Sequence, residues 1–323
     1  MLAVPGGVVS LQRACLAGSA RYRSTEGTDM ESQAGSSLGD LTDKVCVVTG
    51  GGSGIGRALV CRFAAAGMRV VIGDIEAGAI DSTVDDLAGD PDRVLGVRCD
   101  VRSIEDVQRL RDETVKRFGG VHIVCLNAGV APVGPILRTS LDVWNWVLDV
   151  NLRGVIHGVH VFGPLLADHR AGHIVCTASA AGVSDTATVG PYGATKHAVV
   201  GLAAALRNEL AGSGVGVSVL CPGLTNTRIF ESERNRPHVM RDPSIDNPFS
   251  KQYRELLATT GAPPEHVAEM VYQAVLDDQF FVFPTSDFDG MIESRIADVH
   301  QGLAWRDAVE LRRRGIPTPV PSV

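Results

Sequence analysis

The chain has 323 residues, of which 45% are hydrophobic, so it can bury at least one large core. Its formal net charge is -7 and no basic stretch dominates, which argues against nucleic acid as a partner. Its uncharged apolar stretches are all shorter than the roughly 20 residues that a membrane-spanning helix requires.

Residues 1–39 are rich in Gly, Ser and Ala and show no persistent hydrophobic period, so we expect a disordered leader. The first acidic residue is Glu26, which follows three arginines, and such an acid-poor segment is also typical of a mitochondrial transit peptide. An over-extended start, with Met30 as the true first residue, is a third explanation. We favour a leader without function on a cytoplasmic protein, with the mitochondrial matrix as the alternative.

From Asp40 onward, short apolar runs alternate with helical patterns. Runs predicted as strands cover residues 44–49, 69–74, 93–99, 121–126, 173–177, 216–221 and 280–283. Helices are predicted to end near Gly67 and to cover about 103–118, 140–168, 190–212 and 263–277. Nearly continuous apolar strands separated by helices are typical of a parallel sheet covered on both faces. We therefore predict the α/β class, with a single doubly wound Rossmann-type domain and a seven-stranded parallel sheet over residues 40–290.

Two segments do not follow this alternation of strands and helices. Residues 228–260 are polar, with Arg and Pro clusters, and follow the sixth strand at the edge of the sheet where ligands bind. We interpret them as a mobile substrate lid, although a solvated surface loop would have the same composition. Residues 291–323 are assigned to a C-terminal tail with a short basic cluster at Arg312 to Arg314.

A glycine-rich turn joins the first strand to the first helix. It reads Gly50-Gly-Gly-Ser53-Gly54-Ile55-Gly56. Glycine allows a tight turn and a close approach of the backbone to a pyrophosphate, and the start of a helix stabilises phosphate. The position between strand and helix makes this turn a candidate dinucleotide site, which a glycine-rich string alone would not.

Asp74 ends the second strand, 20 residues after Gly54. A carboxylate at that place accepts hydrogen bonds from the ribose hydroxyls of the adenosine and repels a 2′-phosphate. The following residues, Ile75 and Glu76, supply no cation for such a phosphate. The sequence therefore favours NAD over NADP.

Tyr192 and Lys196 are four residues apart on a predicted helix, and Ser179 precedes them at the end of a strand. A free phenol has a pKa of about 10 and is a poor base at neutral pH. Lys196 lies one helical turn away, and its charge, together with that of an oxidised nicotinamide, favours the phenolate. Lowering the phenol pKa by ~3 units requires about 4 kcal/mol of differential stabilisation. Ser179 can then donate to the substrate oxygen.

Together, the turn, Ser179 and the Tyr-x-x-x-Lys motif resemble the classical short-chain dehydrogenase/reductase family over about residues 45–285. The Gly-x-x-x-Gly-x-Gly spacing is typical of that family, and the resemblance makes Ser179, Tyr192 and Lys196 catalytic. By the same resemblance, Asn151 anchors a water that connects Lys196 to solvent, and Lys196 bonds the nicotinamide ribose.

The resemblance also assigns cofactor contacts. Asp100 and Val101 should border the adenine, and Asn127 should lie along the adenine-side ribose and stabilise the central sheet. The family often has a second Asn where this chain has Leu126, which removes at most one polar contact. The backbone of Thr225 and the hydroxyl of Thr227 should hold the nicotinamide carboxamide. They belong to a segment that starts with Pro222 and Gly223.

These expectations predict an NAD-dependent dehydrogenase for a secondary alcohol or its ketone. Apolar residues around Val130 to Ile136 and Ala180 to Ala187 favour a hydrophobic substrate, such as a steroid, terpenoid or acyl compound. An NADP-dependent 3-oxoacyl or carbonyl reductase is the alternative, and a non-catalytic NAD-sensing protein is a more remote one. The resemblance implies a homotetramer or homodimer.

We expect no metal centre. His157 and His160 lie three residues apart on one helix, but they lack the surrounding ligands of a zinc site. The seven cysteines form no CxxC pair, and Cys46, Cys125 and Cys176 lie within apolar strands. We interpret the cysteines as buried thiols in a reducing compartment.

Overall fold

The structure is a computed structural model that describes residues 38–87, 90, 92–237 and 248–314. Seven parallel strands form one sheet in the order β3-β2-β1-β4-β5-β6-β7. The strands are β1 Val45–Thr49, β2 Arg69–Asp74, β3 Val94–Arg98, β4 Ile123–Leu126, β5 Gly172–Thr177, β6 Val215–Leu220 and β7 Phe281–Val282. The strand order reverses between β1 and β4, and a crevice forms at such a switch point. The predicted fold class is confirmed.

Helices cover both faces of the sheet. They are α1 Gly54–Ala65, α2 Ala77–Asp86, α3 Ile104–Phe118, α4 Leu141–Val147, α5 Gly154–His169, α6 Gly190–Glu209, α7 Pro248–Thr260, α8 Pro264–Leu276 and α9 Asp289–Arg313. Short 3-10 helices occur at Ile136–Arg138, Ala180–Gly182 and Ile229–Asn235. None of the described helices is long and apolar enough to span a bilayer.

The core has two halves because successive side chains of a strand point to opposite faces. On β1, Val45 and Val47 pack on one face, while Cys46 and Val48 pack on the other. Helices α3, α5 and α6 bury Leu110, Phe162 and Val199 on the first face. Helices α1 and α8 bury Phe63 and Val271 on the second face. This two-sided burial explains why the strands are nearly continuously apolar.

Local signals set the ends of several helices. Ser103 begins α3 by accepting a hydrogen bond from the backbone N–H of Asp106, and Gly119 ends it with a φ of 82°. Pro191 lies in the first turn of α6. Backbone N–H groups in that turn have no acceptor within the helix, so a proline costs no hydrogen bond there.

Four parts of the chain differ from the sequence prediction. The predicted helix over 140–168 is interrupted by a π-helical turn at Leu148–Arg153. Helix α2 was not predicted, and the assigned C-terminal tail contains most of α9. Within the predicted lid, residues 229–235 and 248–260 are helical, and 238–247 lie outside the described residues. Residues 1–37 of the predicted leader lie outside the described residues.

Candidate active site

The glycine-rich turn lies at the switch point of the sheet and adopts backbone conformations that only glycine tolerates well. Gly50 and Gly54 have φ of 66° and 53°. A Cβ on Gly56 would lie 2.0 Å from the carbonyl oxygen of Gly50, so a larger residue cannot take that place. The turn is therefore fixed by packing as well as by backbone angle.

The start of α1 fits an anion. Ser53 occupies the cap position but makes no side-chain capping bond, and the first turn contains no acidic residue. The first backbone N–H groups of a helix have no partner within that helix, and its dipole places partial positive charge there. These residues, together with the close backbone of the turn, suit the pyrophosphate of a dinucleotide.

The loop after β6 closes against this turn. A Cβ on Gly54 would lie 3.1 Å from Cγ2 of Thr227. The neighbouring Thr225 is buried and bridges to Ala262. The carboxylate of Asp287 accepts a hydrogen bond from the backbone N–H of Leu224 at 2.7 Å. The loop after β6 is thus held by Ala262 and by Asp287.

Pro222 and Gly223 begin this loop and also contact its surroundings. The carbonyl oxygen of Pro222 accepts from the backbone N–H of Ala180 at 2.9 Å, which ties the loop to the segment after β5. A Cβ on Gly223 would lie 2.3 Å from Oδ1 of Asp287. Glycine is therefore required for the close approach of Asp287.

Asp74 is held in place at the end of β2. Its Oδ2 accepts from the backbone N–H of Gly52 at 2.9 Å, and its Oδ1 accepts from that of Glu76 at 3.0 Å. The side chain lines the same cavity as Ser53 and Gly54. A fixed carboxylate beside the turn is what ribose recognition requires.

Asp100 and Val101 follow β3 and line the cavity next to Asp74. Asp100 pairs with Arg102 at 2.6 Å, an arginine that also lines the cavity. The carbonyl oxygen of Val101 contacts Nδ1 of His157 at 2.9 Å, so this histidine is engaged in a packing contact.

Asn127 joins three strands at their carboxyl ends. Its side-chain amide donates to the carbonyl oxygen of Thr49 at 3.1 Å, and its backbone N–H donates to the Thr49 hydroxyl at 2.9 Å. Its Oδ1 accepts from the hydroxyl of Thr177 at 3.4 Å. Asn127 therefore stabilises the edge of the sheet at which the cavity opens.

Ser179, Tyr192 and Lys196 converge above β5 and β6. The Ser179 hydroxyl donates to the carbonyl oxygen of Pro222 at 3.5 Å and accepts from the backbone N–H of Ala181 at 3.1 Å. Lys196 is 3% exposed and donates from Nζ to the carbonyl oxygen of Thr177 at 2.7 Å. Its Nζ lies 5.5 Å from the centre of the Tyr192 ring. All three side chains line the cavity that contains the glycine turn.

In the protein alone, the pKa of Tyr192 lies above its ordinary value, whereas the lowering expected from the sequence also requires the charge of an oxidised nicotinamide. Burial raises the pKa of the phenol, and this outweighs the lowering by the Ser179 hydrogen bond. Burial also lowers the pKa of Lys196 to about 8. The physical reason is that Lys196 directs its ammonium to Thr177 and not to the phenol oxygen, so desolvation dominates.

Asn151 lies in the π-helical turn and is fully buried. Its side-chain oxygen accepts from the backbone N–H of Val130 at 2.8 Å, and its amide donates to the carbonyl oxygen of Val130 at 2.9 Å. A Cβ on Gly129 would lie 3.5 Å from Oδ1 of Asn151 and 3.6 Å from Nζ of Lys196. Asn151 thereby fixes the segment that packs on Lys196. π-helical turns are frequent at functional sites.

All the predicted site residues except Gly56 and Asn151 line one cavity of about 480 Å³. Its glycine-turn end is lined by Ser53, Ile55 and Asp74, and Asn127 and Lys196 lie between that end and the loop after β6. Beyond Tyr192 the wall becomes mainly apolar, with Val130, Trp146, Val189, Phe230, Leu257 and Met291. The cavity can thus hold a polar dinucleotide beside an apolar molecule.

Three arginines that line this cavity were not predicted from the sequence, and Arg102 after β3 is one of them. Arg228 and Arg234 from the predicted lid line it, and Arg234 pairs with Glu76 at 2.9 Å. The sequence analysis considered the residues that follow Asp74 in the chain, and these two arginines come from a distant segment. The pairing spans 158 residues, so no local pattern could have revealed it. Arg57, the cation nearest the turn in sequence, pairs with Asp86.

Among the described residues, no group of three or more His, Cys, Asp or Glu side chains is arranged to hold a metal ion. The cysteines at 46, 99, 125, 176 and 221 are buried free thiols, Cys61 is partly buried, and Cys15 lies outside the described residues.

Comparisons with known proteins agree with this geometry. A family model described as short chain dehydrogenase matches residues 44–238. A C alpha-dehydrogenase from a Sphingobium species is 34% identical over 248 residues, which are 76% of this chain and 81% of the relative. A 1-deoxy-11-beta-hydroxypentalenate dehydrogenase from Streptomyces avermitilis is 34% identical over 270 residues, which are 82% of this chain and 93% of the relative.

A solved structure is also similar. It is a short chain dehydrogenase/reductase from Burkholderia phymatum in complex with NAD, with a TM-score of 0.76 and 34% identity. The similarity covers 88% of this chain and 100% of that protein.

Proposed function

The chain belongs to the short chain dehydrogenase family of oxidoreductases, and from this premise we propose that it is an NAD-dependent dehydrogenase for a hydrophobic secondary alcohol or its ketone. The observation that carries the proposal is the shared cavity. One end presents the glycine turn and Asp74, and the other presents Ser179, Tyr192 and Lys196 beside an apolar wall.

Tyr192 is the general acid and base. In alcohol oxidation its phenolate takes the hydroxyl proton of the substrate, and in ketone reduction the phenol returns it. Ser179 donates a hydrogen bond to the substrate oxygen and stabilises the charge that develops there. The Ser179 and Tyr192 side chains line the same cavity, so both can contact one substrate oxygen. A bound nicotinamide would supply or accept the hydride.

Lys196 stabilises the phenolate and bonds the nicotinamide ribose. Its buried ammonium has a pKa of about 8, so it can exchange a proton near neutral pH. Asn151 supports this role by holding Gly129 and Val130 against Lys196. A water held near Asn151 would connect Lys196 to solvent.

The residues that would hold the cofactor fall into two sets. The turn residues Gly50, Ser53, Gly54, Ile55 and Gly56 bind the pyrophosphate, and Asp74 binds the adenosine ribose. Asp100, Val101 and Asn127 line the adenosine side, and Pro222, Gly223, Thr225 and Thr227 line the nicotinamide side.

NADP is the competing cofactor, and one observation favours it. Arg228 and Arg234 line the cavity that contains Asp74, and an arginine can bind a 2′-phosphate. Asp74 opposes this by charge, and Glu76 already pairs with Arg234. An NADP-dependent carbonyl or 3-oxoacyl reductase is therefore the second candidate, and NAD remains the preferred assignment.

The substrate is proposed to be steroid-, terpenoid- or acyl-like. Support comes from the apolar wall formed by Trp146, Phe230, Tyr253 and Leu257, and from a relative named for a hydroxypentalenate. Apolar side chains that are partly exposed on α5 and α9, such as Ile156 and Val299, support a homodimer or homotetramer. Buried free thiols support a reducing compartment such as the cytoplasm.

The test is turnover with a panel of steroid, terpenoid, acyl and sugar alcohols at saturating NAD, followed by NADH absorbance and product mass spectrometry. Tyr192→Phe should lower kcat by about 10²- to 10⁴-fold and leave NADH affinity within a few-fold. Tyr253→Phe is the matched control, since this phenol lines the same cavity on α7. NADH binding without turnover of any alcohol class would instead support an NAD-sensing protein.

A further inference from the structure

The 3-10 helix Ile229–Asn235, together with Arg236, forms a strap across the candidate cavity. Two of its contacts lie on the substrate side. The buried Ser232 accepts through Oγ from the backbone N–H of Ala131 at 3.0 Å. The guanidinium of Arg236, which is 3% exposed, lies 5.1 Å from the centre of the Trp146 ring.

A third attachment lies on the opposite side of the cavity, at Glu76. Arg234 donates from Nε to Oε1 of Glu76 at 2.9 Å, and Asn235 donates from Nδ2 to the same oxygen at 2.8 Å. Glu76 is two residues beyond Asp74, and its backbone N–H bonds the Asp74 carboxylate. The attachment point is therefore coupled to the residue assigned to the adenosine ribose.

The inner side of the strap belongs to the cavity wall. Ile229 and Phe230 line the cavity, and the Phe230 ring lies 4.8 Å from that of Tyr253. The strap thus contacts the region assigned to the adenosine at one end and the apolar substrate wall at the other. A molecule that occupies the glycine-turn end cannot leave towards the strap unless the strap moves.

The Glu76 attachment differs from an ordinary surface ion pair. Its two charged side chains are 26% and 31% exposed. In the pair between Arg228, which precedes the strap, and Glu231 of the strap, they are 58% and 37% exposed. Burial raises the pKa of Glu76, but the Asn235 hydrogen bond and the Arg234 charge outweigh it and hold the pKa below its ordinary value. Hydrogen bonds to charged groups contribute more than neutral ones.

We propose that Glu76 is a positioning residue which, through Arg234 and Asn235, holds the strap closed over the bound cofactor and slows cofactor release. This rests on the proposed binding of NAD at the glycine turn and Asp74. Glu76 does not contact the reacting atoms in this proposal. It acts through the strap.

The experiment measures NADH dissociation by stopped-flow fluorescence, with excess NAD added to trap the free protein. Glu76→Gln keeps the shape of the side chain but removes its charge, and NADH should dissociate about 10-fold faster. Glu231→Gln is the matched control, because it removes an ion pair from the same 3-10 helix without releasing an attachment. Its dissociation rate should stay within twofold of wild type.

A charge exchange separates positioning from a loss of local structure. The double variant Glu76→Arg with Arg234→Glu should restore slow dissociation relative to either single variant. A requirement for Glu76 in forming the start of α2 would not be rescued in this way. Melting temperatures without NADH verify that each variant is folded.

Three results would overturn the proposal. One is a Glu76→Gln protein that is folded and releases NADH at the wild-type rate. Another is equal acceleration by Glu231→Gln, which would indicate a general charge effect. A third is unchanged NADH release with tighter NADPH binding, which would make Glu76 a discriminator against phosphate. If wild type fails to bind NADH at all, the proposed function itself is wrong and this inference fails with it.

Discussion

The ammonium of Lys196 lies 5.5 Å from the centre of the Tyr192 ring and is bonded to the carbonyl oxygen of Thr177. The two side chains are therefore neighbours, but their charges are not yet coupled through a direct contact. Burial moves both pKa values towards the neutral forms, upward for Tyr192 and downward for Lys196. A positive charge added near these two buried groups would therefore lower both pKa values strongly.

Removing the charge of Lys196 should move alcohol oxidation to higher pH. In Lys196→Met the phenolate loses its cation, so the tyrosine pKa rises and the alkaline-rising limb of kcat shifts upward. At pH 7 we expect kcat to fall by about 10²-fold or more. The measurement is a pH–kcat profile of both proteins with the best alcohol of the panel. Lys251→Met, on the exposed surface of α7, is the control, and an unshifted Lys196→Met profile would contradict the role.

Neutralising Asp74 should weaken the preference for NAD. Asp74→Asn keeps an oxygen that can accept from Gly52 but removes the charge that repels a 2′-phosphate. We expect NADPH to bind about 10-fold more tightly and NADH a few-fold more weakly. Protein fluorescence titrations with both cofactors measure this, with Asp298→Asn on the exposed side of α9 as control. If wild type already prefers NADPH, the assignment of NAD is wrong.

Two glycine variants should have opposite effects on stability. Gly54→Ala places a Cβ 3.1 Å from Thr227 at a residue with φ of 53°, so we expect a loss of about 1–2 kcal/mol and weaker NADH binding. Gly78→Ala, within α2, meets no atom within 4 Å and should stabilise by about 0.5–1 kcal/mol. Urea unfolding measures both values. Equal effects of the two alanines would mean that the turn is not constrained as described.

His173 should make the protein less stable in mild acid. It is 1% exposed, and its Nε2 bonds the hydroxyl of Ser218 at 2.8 Å. Burial lowers its pKa from 6.5 to about 4. Since the folded pKa lies below the unfolded one, only the unfolded chain binds the proton between these values. Stability is unaffected above pH 6.5 and falls by about 3 kcal/mol as the pH drops to 4.

The measurement is the free energy of unfolding in urea between pH 7 and pH 4.5. His173→Asn should flatten the dependence in this range, whatever its effect on absolute stability. His300→Asn, at an exposed position of α9, is the control and should keep the wild-type slope. A slope in His173→Asn equal to that of wild type would show that other groups cause the acid sensitivity.

The prediction of the sheet succeeded because its signals are local. Each strand is an apolar run bounded by polar or glycine residues, and all seven predicted runs match observed strands within two residues at either end. β7 is shorter, with only Phe281 and Val282 paired to β6. Helix α2 was missed because it is short and has only two large apolar side chains, Ile80 and Val84.

In the candidate site, too, some features were predicted from the sequence and others were seen only in the structure. Residue type and spacing were enough to select the glycine turn, Asp74, Ser179, Tyr192 and Lys196, since each follows a strand or shares a helical face. Whether they perform the assigned roles remains a prediction. Only the folded chain revealed that the Ser179 hydroxyl bonds the carbonyl oxygen of Pro222 and that Lys196 bonds Thr177.

The sequence alone determined the features that depend on local patterns. These are the alternation of strands with helices and the reactive side chains that lie at the strand ends. Tertiary structure decided the contacts between distant segments. Glu76 meets Arg234 across 158 residues, and Asn127 joins β1 to β5. It also decided the direction of the pKa shifts at Tyr192 and Lys196. The physical reason is that desolvation and ion pairing depend on which segments pack together. A local pattern of residues does not specify which distant segments those are.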